Sequence, residues 1–143
     1  MKEYPGKLIS FLYRKSQIFW SQILKEHNIT SAEYPVIIVL NKKDGITQEE
    51  ISSELGLDKS AITRVVKSLL EKGFIERQKN QEDLRCNKIY LTEKGHSCWK
   101  YIKEGMEKWN SIMSKDIETK EVEEVVRILS IMSNNIEDYF RKN

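Results

Sequence analysis

The sequence predicts a mainly α chain with one small two-stranded β-hairpin, and three observations predict it. Apolar residues recur at helical spacing through most of the 143 residues. Capping residues stand ahead of several of those stripes. The period changes to alternation only between Phe74 and Leu91.

The length suits one domain over residues 1–143, because two independent cores need a longer chain. Hydrophobic residues make up 39% and charged residues 32%, too apolar for a disordered chain and too charged for a membrane protein. Arg14 and Lys15 interrupt the first apolar stretch before it reaches signal-peptide or membrane-span length, so a cytoplasmic protein without membrane association is expected. Cys86 and Cys98 are expected to be free thiols. A net charge of +2 does not by itself announce a nucleic-acid binder, so any such case rests on where the charges lie.

From Tyr4 to Lys25, Leu8, Phe11, Leu12, Ile18, Phe19 and Ile23 form the stripe of a first helix. Thr30-Ser31-Ala32-Glu33 is a capping-box pattern that opens a second helix. Its run from Tyr34 to Leu40 is apolar almost throughout and therefore buried on most sides, with Pro35 near the first turn and Lys42-Lys43-Asp44-Gly45 at its end. A second capping box, Thr47-Gln48-Glu49-Glu50, opens a short helix that stops at Gly56.

Asp58 caps the next helix, about Lys59 to Lys72, whose apolar face is Ile62, Val65, Val66, Leu69 and Leu70 and whose stop is Gly73. Phe74 to Lys79 and Lys88 to Leu91 then alternate as two strands around a charged tip. Thr92 caps one long helix carrying Trp99, Ile102, Met106, Trp109 and Met113. After a junction near Asp116 to Lys120, a last helix repeats the stripe at Val122, Val125, Val126, Leu129, Met132, Ile136 and Phe140. Apolar stripes left over in so short a chain usually meet across a two-fold axis, which predicts a dimer built from the terminal helices.

The two short central helices and the Gly56 turn make a helix-turn-helix, in which the first helix braces the second in the major groove of DNA. With the apolar face inward, the helical step of about 100 degrees turns Lys59, Ser60, Thr63, Arg64 and Lys67 outward. Arg64 suits a bidentate contact to guanine, Ser60 and Thr63 suit base edges or phosphates, and Lys59 and Lys67 suit phosphates. The hairpin that follows is then a wing.

The run Ile62-Thr63-Arg64-Val65-Val66-Lys67-Ser68-Leu69-Leu70-Glu71-Lys72-Gly73-Phe74-Ile75-Glu76-Arg77, then Asp83-Leu84-Arg85, then Leu91-Thr92-Glu93-Lys94-Gly95, resembles the signature of the MarR family across the whole chain. The resemblance implies a winged helix-turn-helix transcriptional regulator, with dimerisation helices at 4–27 and 93–141 flanking a DNA-binding region at 30–92. It implies that Asp83 orients Arg85 by a salt bridge and that Arg85 enters the minor groove, where negative potential is concentrated. Arg77 on the wing completes the expected DNA-binding set. It also implies a homodimeric repressor on a palindromic operator in double-stranded DNA, often with a small aromatic or phenolic effector. Aromatic walls gather near the expected seam between the first, second and fifth helices, and Phe11, Tyr34 and Ile38 are the expected ligand contacts. Cys86 after Arg85 and Pro35 in the second helix depart from the commoner pattern, and neither removes a DNA-contacting position.

Two other readings stay open. Arg85 and Lys88 near Cys86 suggest thiol-based redox sensing through Cys86 or Cys98, although a reactive thiol needs more than a nearby cation. A winged helix also docks proteins in some settings, but Arg64, Lys67 and Arg85 on one surface favour DNA. No phosphate loop, nucleophile elbow or metal-ligand spacing is present, so no enzyme activity, cofactor or metal is expected. His96 and Cys98 diverge on a helix, and His27 stands apart from both.

Overall fold

A computed structural model of the chain describes residues 2–79, 81–82 and 87–143. The elements run α1 (Pro5–Leu24), a 3-10 turn (Lys25–His27), α2 (Tyr34–Lys42), β1 (Ile46–Thr47), α3 (Gln48–Leu55), α4 (Lys59–Glu71), β2 (Ile75–Lys79), β3 (Asn87–Leu91), α5 (Glu93–Ser97), α6 (Trp99–Met113) and α7 (Thr119–Lys142). Contacts divide the chain into two units, Met1–Glu107 and Lys108–Asn143.

The first unit is built on α2. Val36, Ile37 and Leu40 are fully buried, and around them pack Ile51 of α3, Ile62, Val66 and Leu69 of α4, Phe74, Ile75, Ile89 and Leu91 of the hairpin, and Ile102 of α6. Each such side chain stabilises the fold by about 1.5–3 kcal/mol. From α1 only Trp20 and Leu24 are fully covered, with Phe19 and Ile23 packed beside them. The predicted stripe therefore divides: Leu8, Phe11, Leu12 and Ile18 stay exposed in the single chain.

Two expectations are corrected. The hairpin is not a lone two-stranded wing, because Ile46–Thr47 adds a third antiparallel strand in the order β1-β3-β2, with Ile46 opposite Ile89 and Ile75 opposite Leu91. Asp44 and Gly45 make this possible. The Asp44 carboxylate accepts the Leu91 amide at 2.9 Å. Gly45 donates its own amide to the Ile89 carbonyl at 3.0 Å from a left-handed conformation (φ 72°). A Cβ at Gly45 would lie 2.7 Å from the Tyr90 ring.

The long helix expected after Thr92 is likewise two helices, α5 and α6, parting at Cys98. The reason is that they dock on different surfaces. Gly95 of α5 lies so close to the end of α4 that a Cβ would sit 2.1 Å from the Phe74 carbonyl oxygen. Gly105 of α6 instead lies against Trp20 and Ile23 of α1, where a Cβ would meet either at 2.6 Å.

In the second unit Glu118 and Glu121 form a capping box at the start of α7, and Asp116 makes the preceding turn in the left-handed region (φ 63°). No residue of α7 is fully buried, and Val125, Val126, Leu129, Ile136 and Phe140 are exposed.

Candidate nucleic-acid interface

The helix-turn-helix is fixed by local hydrogen bonds. Thr47 Oγ1 accepts the Glu50 amide at 3.1 Å while Glu50 reaches back to the Thr47 amide, closing the predicted capping box. Gly56 ends α3 in the left-handed region, and Ser52 Oγ donates to the Leu57 carbonyl across the turn. Asp58 Oδ1 then caps α4, accepting the Ala61 amide at 2.7 Å and the Ser60 hydroxyl at 3.0 Å. Those two bonds, the Ala61 amide foremost, hold the Asp58 carboxyl below its usual range.

With Ile62, Val66 and Leu69 buried, Lys59, Ser60, Thr63, Arg64 and Lys67 are all exposed: the helical step sets Ser60, Arg64 and Lys67 opposite the buried face and Thr63 on its flank, and Lys59 is exposed as the first residue of the helix. Their hydroxyls are not equally free. Ser60 spends its proton on Asp58, and Thr63 Oγ1 donates to the Lys59 carbonyl at 2.7 Å while accepting from Gln48 Nε2 at 2.8 Å. Gln48, at the start of α3, thus joins the surface beside Thr63, a partner that lies outside any local sequence pattern.

On the wing, Arg77 is exposed opposite Ile89, and Lys79 stands exposed at the end of the same strand. Asp83 and Arg85, expected to form the tip's salt bridge and minor-groove contact, lie outside the described residues, as does Cys86.

The other end of α4 holds what sequence reasoning missed. Glu33 is 2% exposed, and it is the buried charged side chain among the described residues. Its Oε1 accepts Lys72 Nζ at 2.7 Å and the Thr30 amide at 2.8 Å, and its Oε2 accepts Ser68 Oγ at 2.6 Å. Lys72 also donates to the Asn28 carbonyl at 3.1 Å. Burial alone would push the Glu33 carboxyl up, but the bonds from Lys72, Ser68 and Thr30, with the Lys72 charge, outweigh it and hold the group below its ordinary value. The Thr30 and Glu33 pattern read as a helix start is therefore present, yet it closes the turn ahead of α2, and its glutamate serves a second purpose.

A cavity of about 540 Å³ opens beside these groups, lined by Tyr13 of α1, Tyr34 and Pro35 of α2, Leu57 of the turn, and Arg64 and Val65 of α4. Of the three expected ligand contacts, Tyr34 lines it. Phe11 is exposed near Lys15, and Ile38 packs one turn further along α2 against the core. The Tyr34 ring stacks on Trp20 at 4.0 Å, and burial, with Tyr13 nearby, pushes its phenol up to about 12. Cys98 is buried and donates to the Lys94 carbonyl, and burial raises its thiol pKa against the weaker pull of the Lys94 charge. No group of three metal-ligating side chains occurs among the described residues.

The MarR family model matches residues 29–87, from the turn before α2 to the start of β3. The crystal structure of a MarR transcriptional regulator from Methanosarcina mazei Go1 is 32% identical, covers 97% of this chain and 93% of its own, and superposes with a TM-score of 0.88. The chain belongs to the MarR family. As a MarR-family protein it is a transcriptional regulator with a DNA-binding winged helix, and the relatives it matches are regulators rather than enzymes. The regulator BilQ of Clostridioides difficile is 27% identical over 127 residues, 89% of this chain and 86% of that protein. A MarR mutant from E. coli, solved in complex with operator DNA, is 26% identical over 90% of this chain and 92% of its own, with a TM-score of 0.81. No helix among the described residues is long and apolar enough to cross a membrane.

Proposed function

We propose that this MarR-family chain is a homodimeric repressor that occupies a palindromic operator and is released by a small aromatic or phenolic effector. The observation that carries DNA reading is the row of exposed donors on α4, Lys59, Ser60, Thr63, Arg64 and Lys67, with Arg77 on the adjoining wing. The apolar faces of α1 and α7 that the single chain leaves exposed support a second copy as their cover, with residues 30–92 as the DNA-binding region between them. Two α4 helices in a two-fold dimer then enter successive major grooves, with each wing beside a minor groove.

Arg64 supports the release mechanism, because it belongs both to the outward row and to the wall of the cavity beside Tyr34. A ligand there has direct access to a base-reading side chain and stabilises a dimer whose recognition helices are wrongly spaced. The test is a salt titration of binding to duplex from the protein's own upstream region and to a scrambled duplex, for the native protein and Arg85→Ala. Selective, salt-sensitive binding that weakens in the variant is expected. Equally weak binding of both duplexes by both proteins would replace this reading with a protein-docking winged helix.

A further inference from the structure

The hydrogen bonds at Glu33 join two helices distant in sequence. Glu33 stands just ahead of α2, whereas Ser68 lies on α4 and Lys72 at its C-terminal cap. Ser68 and Lys72 are four residues apart, hence on one side of the helix. That side is neither the buried one nor the groove-facing one. Counting about 100 degrees per residue, it lies about 100 degrees round from the centre of the Ile62, Val66 and Leu69 face, next to Arg64.

This placement matters because apolar packing is non-directional. A helix held only by Ile62, Val66 and Leu69 is free to roll slightly about its axis at small cost. A roll of about 20 degrees carries a side-chain tip, 5–6 Å from the axis, through about 2 Å. Bidentate contact to a base edge does not survive that displacement. Two short hydrogen bonds to one buried carboxylate, at 2.6 Å and 2.7 Å and a full turn apart, set both roll and axial position.

Energetics point the same way. A buried ion pair contributes little net stability over well-packed apolar residues, while its hydrogen-bond directions specify one arrangement. The other side-chain anchors are single bonds: Gln48 Nε2 of α3 donates to Thr63 Oγ1 at 2.8 Å on the exposed side, and just past the end of α4 Lys94 Nζ donates to the Lys72 carbonyl at 2.8 Å and Thr92 Oγ1 to the Gly73 carbonyl at 2.6 Å.

We infer that Glu33 is a positioning residue for DNA reading: through Ser68 and Lys72 it fixes the roll of α4 and so sets operator selectivity. This rests on the reading of α4 as the groove-entering helix. Glu33 touches no DNA. Its role is exerted on Arg64 and its neighbours, so its loss acts on the preference for one sequence and leaves attraction to the phosphates in place.

The test measures dissociation constants by fluorescence anisotropy at one salt concentration. Two duplexes are used, one recovered from a random pool by the native full-length protein and a scrambled one of equal length, and each variant's thermal midpoint is recorded. Glu33→Met/Lys72→Met, which replaces the pair with apolar side chains, is expected to keep its midpoint within a few degrees and lose about tenfold or more of the selectivity ratio. Ser68→Ala should lose about threefold at native midpoint, and Lys72→Arg, which keeps the charge, should retain most of the ratio.

A native ratio in both the double variant and Ser68→Ala would overturn the proposal. Should the double variant melt early, Ser68→Ala decides alone: a reduced ratio at native midpoint sustains the role, and an unchanged one ends it. A native protein that recovers no preferred duplex would overturn the DNA-reading function itself and this role with it, an outcome distinct from selectivity that survives every variant.

Discussion

Helices α4 and α7 carry apolar stripes of the same kind and meet different fates. On α4 the stripe disappears: Ile62, Val66 and Leu69 are at most 1% exposed. On α7 no residue is buried, and Val126 and Phe140 are 59% and 69% exposed. Periodicity thus declares a face in need of cover without naming what covers it. In the first unit the cover is the same chain, and the polar side left over is, on the proposed reading, a surface for DNA. In the second the cover is, on the proposed reading, another copy.

Truncation on the two helices should therefore behave differently. Leu69→Ala should cost about 2–5 kcal/mol, seen as a lower denaturation midpoint at every protein concentration. Leu129→Ala should lower the midpoint by an amount that grows on dilution, because a face covered by a second copy is stabilised by mass action. Sedimentation of that variant should show a shift towards monomer. A midpoint equal to the native one at all concentrations would make the α7 stripe free surface, with no second copy covering it.

Next in size is the crowding at the end of α4. Gly95→Ala places a Cβ against the Phe74 carbonyl oxygen, so α5 must move. A loss of about 1–3 kcal/mol is expected from chemical denaturation. The same change at Gly56, where a Cβ meets nothing within 4 Å, tests only the cost of its left-handed conformation (φ 65°).

These cases show what the sequence made legible. Both helices of the helix-turn-helix, their caps at Thr47 and Asp58 and the Gly56 stop were readable because each rests on residues within four positions of one another. The outward row on α4 followed from helical geometry. Glu33 was readable as half of a capping box with Thr30, but Lys72 lies 39 residues away, and nothing local announces that pairing. Strand β1 escaped because two residues hold no period, and the break at Cys98 escaped because no glycine or proline marks it. Of the expected ligand contacts only Tyr34 lines the cavity, since most of its other walls come from α1, the turns and α4, which meet only in the fold.

The first unit's stability should also depend on pH through Glu33. Since the folded Glu33 carboxyl titrates below its ordinary value of 4.5, its ionisation favours the folded state. That contribution is fully present above the unfolded value and is lost as pH falls through the folded one. Denaturation midpoints of native protein should drop across that acidic window more than those of Glu33→Gln. Parallel curves would remove Glu33 from the acid response.

Substitutions in the proposed DNA-facing row act on binding rather than on folding, and there energy is shared among many contacts. Arg64→Ala should cost about 1–3 kcal/mol on the preferred duplex and relax its base preference, as expected for a bidentate reader. Lys67→Ala should weaken all duplexes by a similar, smaller amount and reduce the slope of log affinity against log salt by about one ion. The contrast is informative because both side chains are exposed on one helix. If Arg64→Ala weakens preferred and scrambled duplexes alike, Arg64 is a phosphate contact like Lys67, and selectivity must come from Gln48, Thr63 or the wing. If Lys67→Ala alters base preference, the row is rotated from the orientation that the buried face dictates, and the outward assignment of the whole helix has to be redrawn.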